Sequence, residues 1–307
     1  MSLQKWLRRL GAGLVVLSFY LLLRELTQFG PDALRIASEP ALLALALGAS
    51  LGYAALLALP AAAWSCALRE GDGAALVSKA AMIIYAKCNV LKYLPGNVFH
   101  FGGRQVMAHR AGWSHRSTLM ATTLEIVSLP LAAGCVALIA FALSEASVIG
   151  GLPAALLPFD VTSFTVALGL ALTGLAAVGT AAFALRRGVS AVSLATMAAL
   201  EIAFFTASAG LIAGLAMVMG AAGPADLPMI AAAYLVSWVV GFVVPGAPGG
   251  LGVREAVFLH LMATTVATPT ALALALLARL VTTLGDLWFS LLASASNLPS
   301  TAVRNGG

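Results

Sequence analysis

The chain has 307 residues, of which 61% are apolar and only 9% charged, whereas a soluble domain carries roughly 25% charged residues. This composition, with a mean hydropathy of +0.99, excludes a water-covered globule, and no polar stretch is long enough for a separate catalytic domain. The net charge of +5 does not point to nucleic acid, because the excess lies between apolar segments, where it reads as cytoplasmic loop charge facing anionic lipid heads.

A membrane-crossing helix needs about 20 mostly apolar residues, and the candidates in chain order are 6–26, 40–68, 117–143, 161–185, 192–221 and 268–296. The first begins like a signal peptide, with Lys5, Arg8 and Arg9 before an apolar run. Arg24 and Glu25 follow directly without a small-residue cleavage site, so it is read as a retained span. The loops then alternate in sign. The loop after the first span is balanced, and the second is basic, with Arg69, Lys79, Lys87, Lys92, Arg104, Arg110 and Arg116 against Glu70 and Asp72. The third holds only Glu145 and Asp160, the fourth is Arg186-Arg187, the fifth offers Asp226, and the tail carries Arg304. Positive residues mark the cytoplasmic side, so six spans with both termini inside satisfy every loop.

Two apolar stretches do not read as ordinary spans. The segment 74–112 breaks at Leu94-Pro95-Gly96-Asn97, and 227–266 breaks at Pro245-Gly246-Ala247-Pro248-Gly249-Gly250. Proline removes a backbone donor and glycine allows a reversal, and broken backbone at membrane depth needs protein or a wet cavity around it. Both are predicted to be re-entrant helical hairpins; the alternative is two kinked crossing helices, eight crossings in all.

The breaks match at an offset of 150 residues: Pro95 with Pro245, Gly96 with Gly246, Gly102 with Gly252, and Arg104 with Arg254. The expected organisation is one membrane domain, with an N-terminal span and loop (1–39), a first half (40–143), a connecting span (144–191), a second half (192–296) and a tail (297–307). Because the hairpins open to opposite faces, the fold class predicted is an all-α polytopic bundle with an inverted-topology repeat. Such repeats carry a site near the midplane where broken helices meet. The hinge candidates are Pro95, Gly96, Gly102, Pro245, Gly246, Gly249, Gly250 and Gly252.

Charges inside spans are costly and therefore informative. Glu125, Glu201, Arg279 and Asp286 all fall within apolar runs. Asp286 follows Arg279 by seven residues, two turns on, so both share a face. Glu125 and Arg279 occupy near-equivalent places in the two halves, and an ion pair between them would lower the cost of burying both. Arg104 and Arg254 each follow a break by nine residues, where a helix amino terminus favours an anion and a guanidinium fork suits phosphate. Glu255 is placed to hold Arg254 or to carry a coupling proton, and Lys92 is a ligand or an interfacial anchor beside Tyr93; the sequence does not choose. The candidate substrate-binding set is Arg104, Arg254, Lys92, Glu255, Glu125 and Arg279. The four histidines have no HxxxH spacing, Cys66, Cys88 and Cys135 form no CxxC pair, and Gly246–Gly252 lacks the Lys-Ser/Thr ending of a phosphate loop. No metal, cofactor or nucleotide is therefore expected. Gly48-x3-Gly52 and Gly210-x3-Gly214 suggest close helix packing.

Lys92-Tyr93-Leu94-Pro95-Gly96-Asn97-Val98 and the run from Pro245 to Ala256 resemble the two signature segments of the lysylphosphatidylglycerol synthase transmembrane-region family, over roughly 10–296. The resemblance implies an integral protein of the bacterial inner membrane that moves lipid between leaflets. It does not imply a synthase, because the soluble aminoacyl-transferase domain of the fused members is missing from this sequence. The function expected is a non-enzymatic flippase for an anionic lipid, polyprenyl-phosphate-linked or a phospholipid, working by alternating access. A small-solute secondary transporter and a scaffold for a lipid or glycan synthase are the alternatives. A homo-oligomer or a synthase or glycosyltransferase partner is compatible with either.

Overall fold

A computed structural model describes residues 20, 22–68, 77–94, 98–144, 161–244 and 247–295. Helix makes up 86% of it, with no strand among the described residues, and the chain is an all-α, multi-pass membrane bundle.

The first helix, α1, covers 22–37. It runs through what the charge pattern marks as a loop, while most of the predicted span 6–26 lies outside the described residues. The predicted span 40–68 is two pieces, α2 (Pro40–Leu56) and α3 (Ala58–Ala67). Pro60 has no N–H to offer the Leu56 carbonyl, so the helix breaks there and restarts. Serine side chains start three helices: Ser78 for α4 (Lys79–Asn89), Ser114 for α6 (His115–Leu143) and Ser190 for α8 (Ala191–Val218), each accepting from the N–H three residues on. Between them lie α5 (Phe99–Arg110) and α7 (Val161–Arg186), and α9 (Leu227–Val243), α10 (Val253–Met262) and α11 (Thr268–Ser294) complete the described chain.

Among the described residues five helical stretches are long and apolar enough to cross a bilayer: Pro40–Ala67, His115–Leu143, Ala191–Val218, Pro224–Val243 and Thr268–Ser294. Four are predicted spans. The fifth is the first arm of the predicted hairpin 227–266, so that hairpin begins with a helix able to reach across. The first hairpin differs. Its arms α4 and α5 have 11 and 12 residues, and at about 1.5 Å per residue neither reaches across about 30 Å of hydrocarbon.

The closing helices interlock the chain. α11 packs against α2 and α4, α6 packs against α8 and α9, and α3 lies on α8. A close helix approach comes at Gly285, where a Cβ would stand 2.9 Å from the Ser50 carbonyl and 2.7 Å from the Tyr53 ring. Gly48, Gly52, Gly210 and Gly214, expected to mark such an approach, face open space. Large apolar side chains such as Leu51, Leu119 and Leu175 point outward while Glu125, Glu201 and Asp286 are buried. That inversion of the soluble pattern is what a lipid-facing exterior requires.

Candidate functional site

The chain breaks its helices twice at one place. A 3-10 turn at Val90–Tyr93 ends α4, another at Pro248–Gly250 precedes α10, and the two turns are in contact. Pro95, Gly96, Pro245 and Gly246 lie outside the described residues. Gly249, Gly250 and Gly252 have φ of +56°, +74° and +78°, a region open to glycine at little cost. At Gly249 a Cβ would also stand 2.9 Å from Tyr93 Cε1 of the other turn, so glycine lets the breaks touch. Gly102, expected as a hinge, is instead inside α5 with open space beside it.

One face of α11 holds this junction together. Arg279, Thr283, Asp286 and Ser290 follow at helical spacing, and each bonds outward from α11. Asp286 is buried, and its two oxygens gather the first break: Oδ1 accepts from Lys92 Nζ at 2.7 Å and Asn89 Nδ2 at 2.8 Å, and Oδ2 accepts from Tyr93 OH at 2.6 Å. Ser290 Oγ donates to the Ala86 carbonyl at 2.7 Å. Arg279 engages the second break, with Nη1 donating to the Gly249 carbonyl at 2.9 Å and Nε 3.7 Å from Glu255 Oε1. The expected shared face of Arg279 and Asp286 is visible at Tyr93, whose ring lies 5.8 Å from the Arg279 guanidinium. Lys92 is therefore bound within the protein rather than serving as an interfacial anchor.

Arg254 is different. It is the second residue of α10, half-buried, and its guanidinium lies 5.4 Å from the Trp238 ring. Among the described residues no carboxylate is within ion-pairing distance of it, and its buried Nε has no hydrogen-bond partner. Glu255, a candidate to hold it, turns away: Oε2 accepts from the Gly252 N–H at 2.7 Å, capping α10, and Oε1 faces Arg279. Space for Arg254 comes from glycine on both sides. A Cβ on Gly241 would collide with Arg254 Cγ, and one on Gly250 would stand 2.6 Å from its Nε.

Arg254 and Arg279 line a small cleft of about 40 Å³, together with Glu255, Trp238, Ala275 and Thr282. Arg279 Nη2 is also buried without a partner among the described residues. Counting Lys92 and Asp286 at the junction, three cations meet two carboxylates. An uncompensated cation at membrane depth is costly, and an anion entering the cleft would relieve it.

Arg104 does not join this cleft. It is the sixth residue of α5, a turn beyond the helix start, and only 3% exposed. Its Nη1 donates to Glu125 Oε2 on α6, and its guanidinium lies 4.2, 5.4 and 5.2 Å from the rings of Tyr85, Trp64 and Phe101. The expected Glu125–Arg279 pair is thus replaced by two others, Glu125–Arg104 and Arg279–Glu255. Glu125 on α6 and Arg279 on α11 each find a partner on the short helix packed beside them, α5 and α10. Glu201, the remaining buried acid among the described residues, accepts from Ser128 Oγ at 2.8 Å, and its second oxygen has no partner among them.

Sequence reasoning missed Asn89, Trp238 and the aromatic box around Arg104. The polar stripe on α11 was the available signal for the first; none marked the box. No protein-family model matches the sequence, and no match is found among the curated proteins searched.

Proposed function

We propose that the protein is a lipid flippase that moves an anionic lipid between leaflets without chemically converting it. The observation that carries this reading is the cleft between α9 and α11 lined by Arg254 and Arg279, where the Arg254 guanidinium has no carboxylate partner among the described residues. A phosphate head group supplies that charge, and the forked donors of arginine suit its oxygens. The substrate class is a phospholipid or a polyprenyl-phosphate-linked lipid, and its tails stay in the bilayer as the head group passes the cleft. The resemblance of the two break segments to the lysylphosphatidylglycerol synthase transmembrane-region family supports the same reading, as does the bacterial inner membrane that it implies, with both termini cytoplasmic.

The two halves support alternating access. Shifted by 150 residues, α2 and α3 (40–67) fall on 190–217, beside α8 (Ala191–Val218), and α6 (115–143) falls on 265–293, beside α11 (Thr268–Ser294). Packing follows the same exchange: α11 lies on the first helices and hairpin of the first half, and α6 on those of the second. An inverted repeat of this kind can exchange the conformations of its halves and expose one site to either side.

The test is leaflet exchange in liposomes containing purified protein, with phosphatidylglycerol and a polyprenyl phosphate as anionic lipids and phosphatidylcholine as the zwitterionic one, each fluorescent and read by external quenching. Exchange of either anionic lipid at least tenfold faster than the zwitterionic one supports the reading. Equal rates, or none above empty liposomes, would overturn it.

A further inference from the structure

The two arginines related by the repeat differ in one partner. Arg104 faces Glu125 on α6. The residue 150 positions after Arg104 is Arg254, and the residue 150 positions after Glu125 is Ala275 on α11. Ala275 lines the cleft with Arg254. The second half therefore repeats the arginine, again beside an aromatic side chain, Trp238, but has a methyl group where the first half has a carboxylate. The buried pair of the first half is complete in itself; in the second half the corresponding position, Ala275, faces the cleft.

From this we infer that Glu125 occupies in the first half the position that a substrate anion takes in the second. The phosphate of the bound lipid lies on the Ala275 side of Arg254, held by Arg254 and by Arg279, one turn along α11 from Ala275. Ala275 is then the residue that keeps the site free of an internal counter-ion, and the chain binds one anionic head group at a time. Arg104 contributes structure and Arg254 binding, although they match in the repeat. This inference rests on the flippase reading only for the identity of the ligand; the position of the anion is tested by binding alone.

The experiment measures binding of decyl phosphate to purified protein in a non-ionic detergent by calorimetry, with inorganic phosphate as the comparison. Decyl phosphate binding far more tightly than inorganic phosphate identifies a lipid head group as the source of the anion; equal affinities would overturn that part of the inference. Ala275→Glu should weaken decyl phosphate at least tenfold more than Ala275→Gln, which adds the same bulk without the charge. To remove dependence on folding with a new buried carboxylate, Ala275→Cys is placed in a background with Cys66, Cys88 and Cys135 replaced by alanine. The folded protein is then labelled with a sulfonatoethyl or a neutral hydroxyethyl methanethiosulfonate. The sulfonate should weaken binding at least tenfold more than the neutral adduct. Equal weakening by the charged and neutral groups at position 275 would overturn the inference. Arg254→Ala separates the two readings: if it abolishes binding while charge at 275 has no special effect, only the anion's position is wrong. If wild type and Arg254→Ala bind alike, the assignment of the cleft itself fails.

Discussion

The Arg104–Glu125 pair makes a prediction that runs against the symmetry of the sequence. Both residues are almost fully buried, and three aromatic rings surround the guanidinium. Removing one member leaves a buried charge without its partner, at a cost of about 3–5 kcal/mol. In Glu125→Leu the rings remain over Arg104 as they do in wild type, so they do not replace the lost carboxylate. In Arg104→Met it is Glu125 that is stranded. The double variant Arg104→Met/Glu125→Leu removes both charges and keeps apolar volume, so it should fall within about 2 kcal/mol of wild type, since buried pairs are commonly replaceable by hydrophobic ones. Equilibrium unfolding in mixed micelles titrated with sodium dodecyl sulfate, followed by tryptophan fluorescence, measures all four proteins. A double variant as unstable as the sum of the two single variants, or single variants costing less than about 1 kcal/mol, would refute the account of this pair as a coupled buried unit.

Three further predictions follow from the junction and its supports. Asp286→Asn removes the charge on which Lys92, Asn89 and Tyr93 converge, and should destabilise the protein by about 3–5 kcal/mol, as loss of a buried partner does; the same unfolding assay measures it. Gly241→Ala places a methyl group against the Arg254 stem, so exchange of anionic lipid should drop at least tenfold while the protein stays folded by size-exclusion chromatography. Gly285→Leu forces α11 away from the Ser50 carbonyl and the Tyr53 ring at a cost of at least about 1–3 kcal/mol, the usual penalty of overpacking, whereas Gly48→Leu, in open space, should cost far less.

Much of the fold was legible because composition and periodicity act locally. Apolar length located 117–143, 192–221 and 268–296 close to α6, α8 and α11, and Pro and Gly marked both breaks. The charges Glu125, Arg279 and Asp286 were identifiable because a charge within an apolar run cannot be accidental. Their partners were not legible. Which carboxylate answers which arginine depends on how α5 lies on α6 and α10 on α11, and no local rule encodes that. The GxxxG spacings misled for the same reason: Gly48 and Gly210 satisfy the pattern but face open space, while Gly285, with no such pattern, makes the close contact. The matching of Arg104 to Arg254 concealed the difference that matters, which lies at the partner positions Glu125 and Ala275.

The central claim is that Arg254, and not its repeat counterpart Arg104, holds the head group. Leaflet exchange of fluorescent phosphatidylglycerol and polyprenyl-phosphate lipids in liposomes tests it, with Arg254→Ala and the stability-matched Arg104→Met/Glu125→Leu beside wild type. The account predicts that Arg254→Ala loses exchange while the double variant retains most of it. Exchange that survives in Arg254→Ala and vanishes in the double variant would contradict the account.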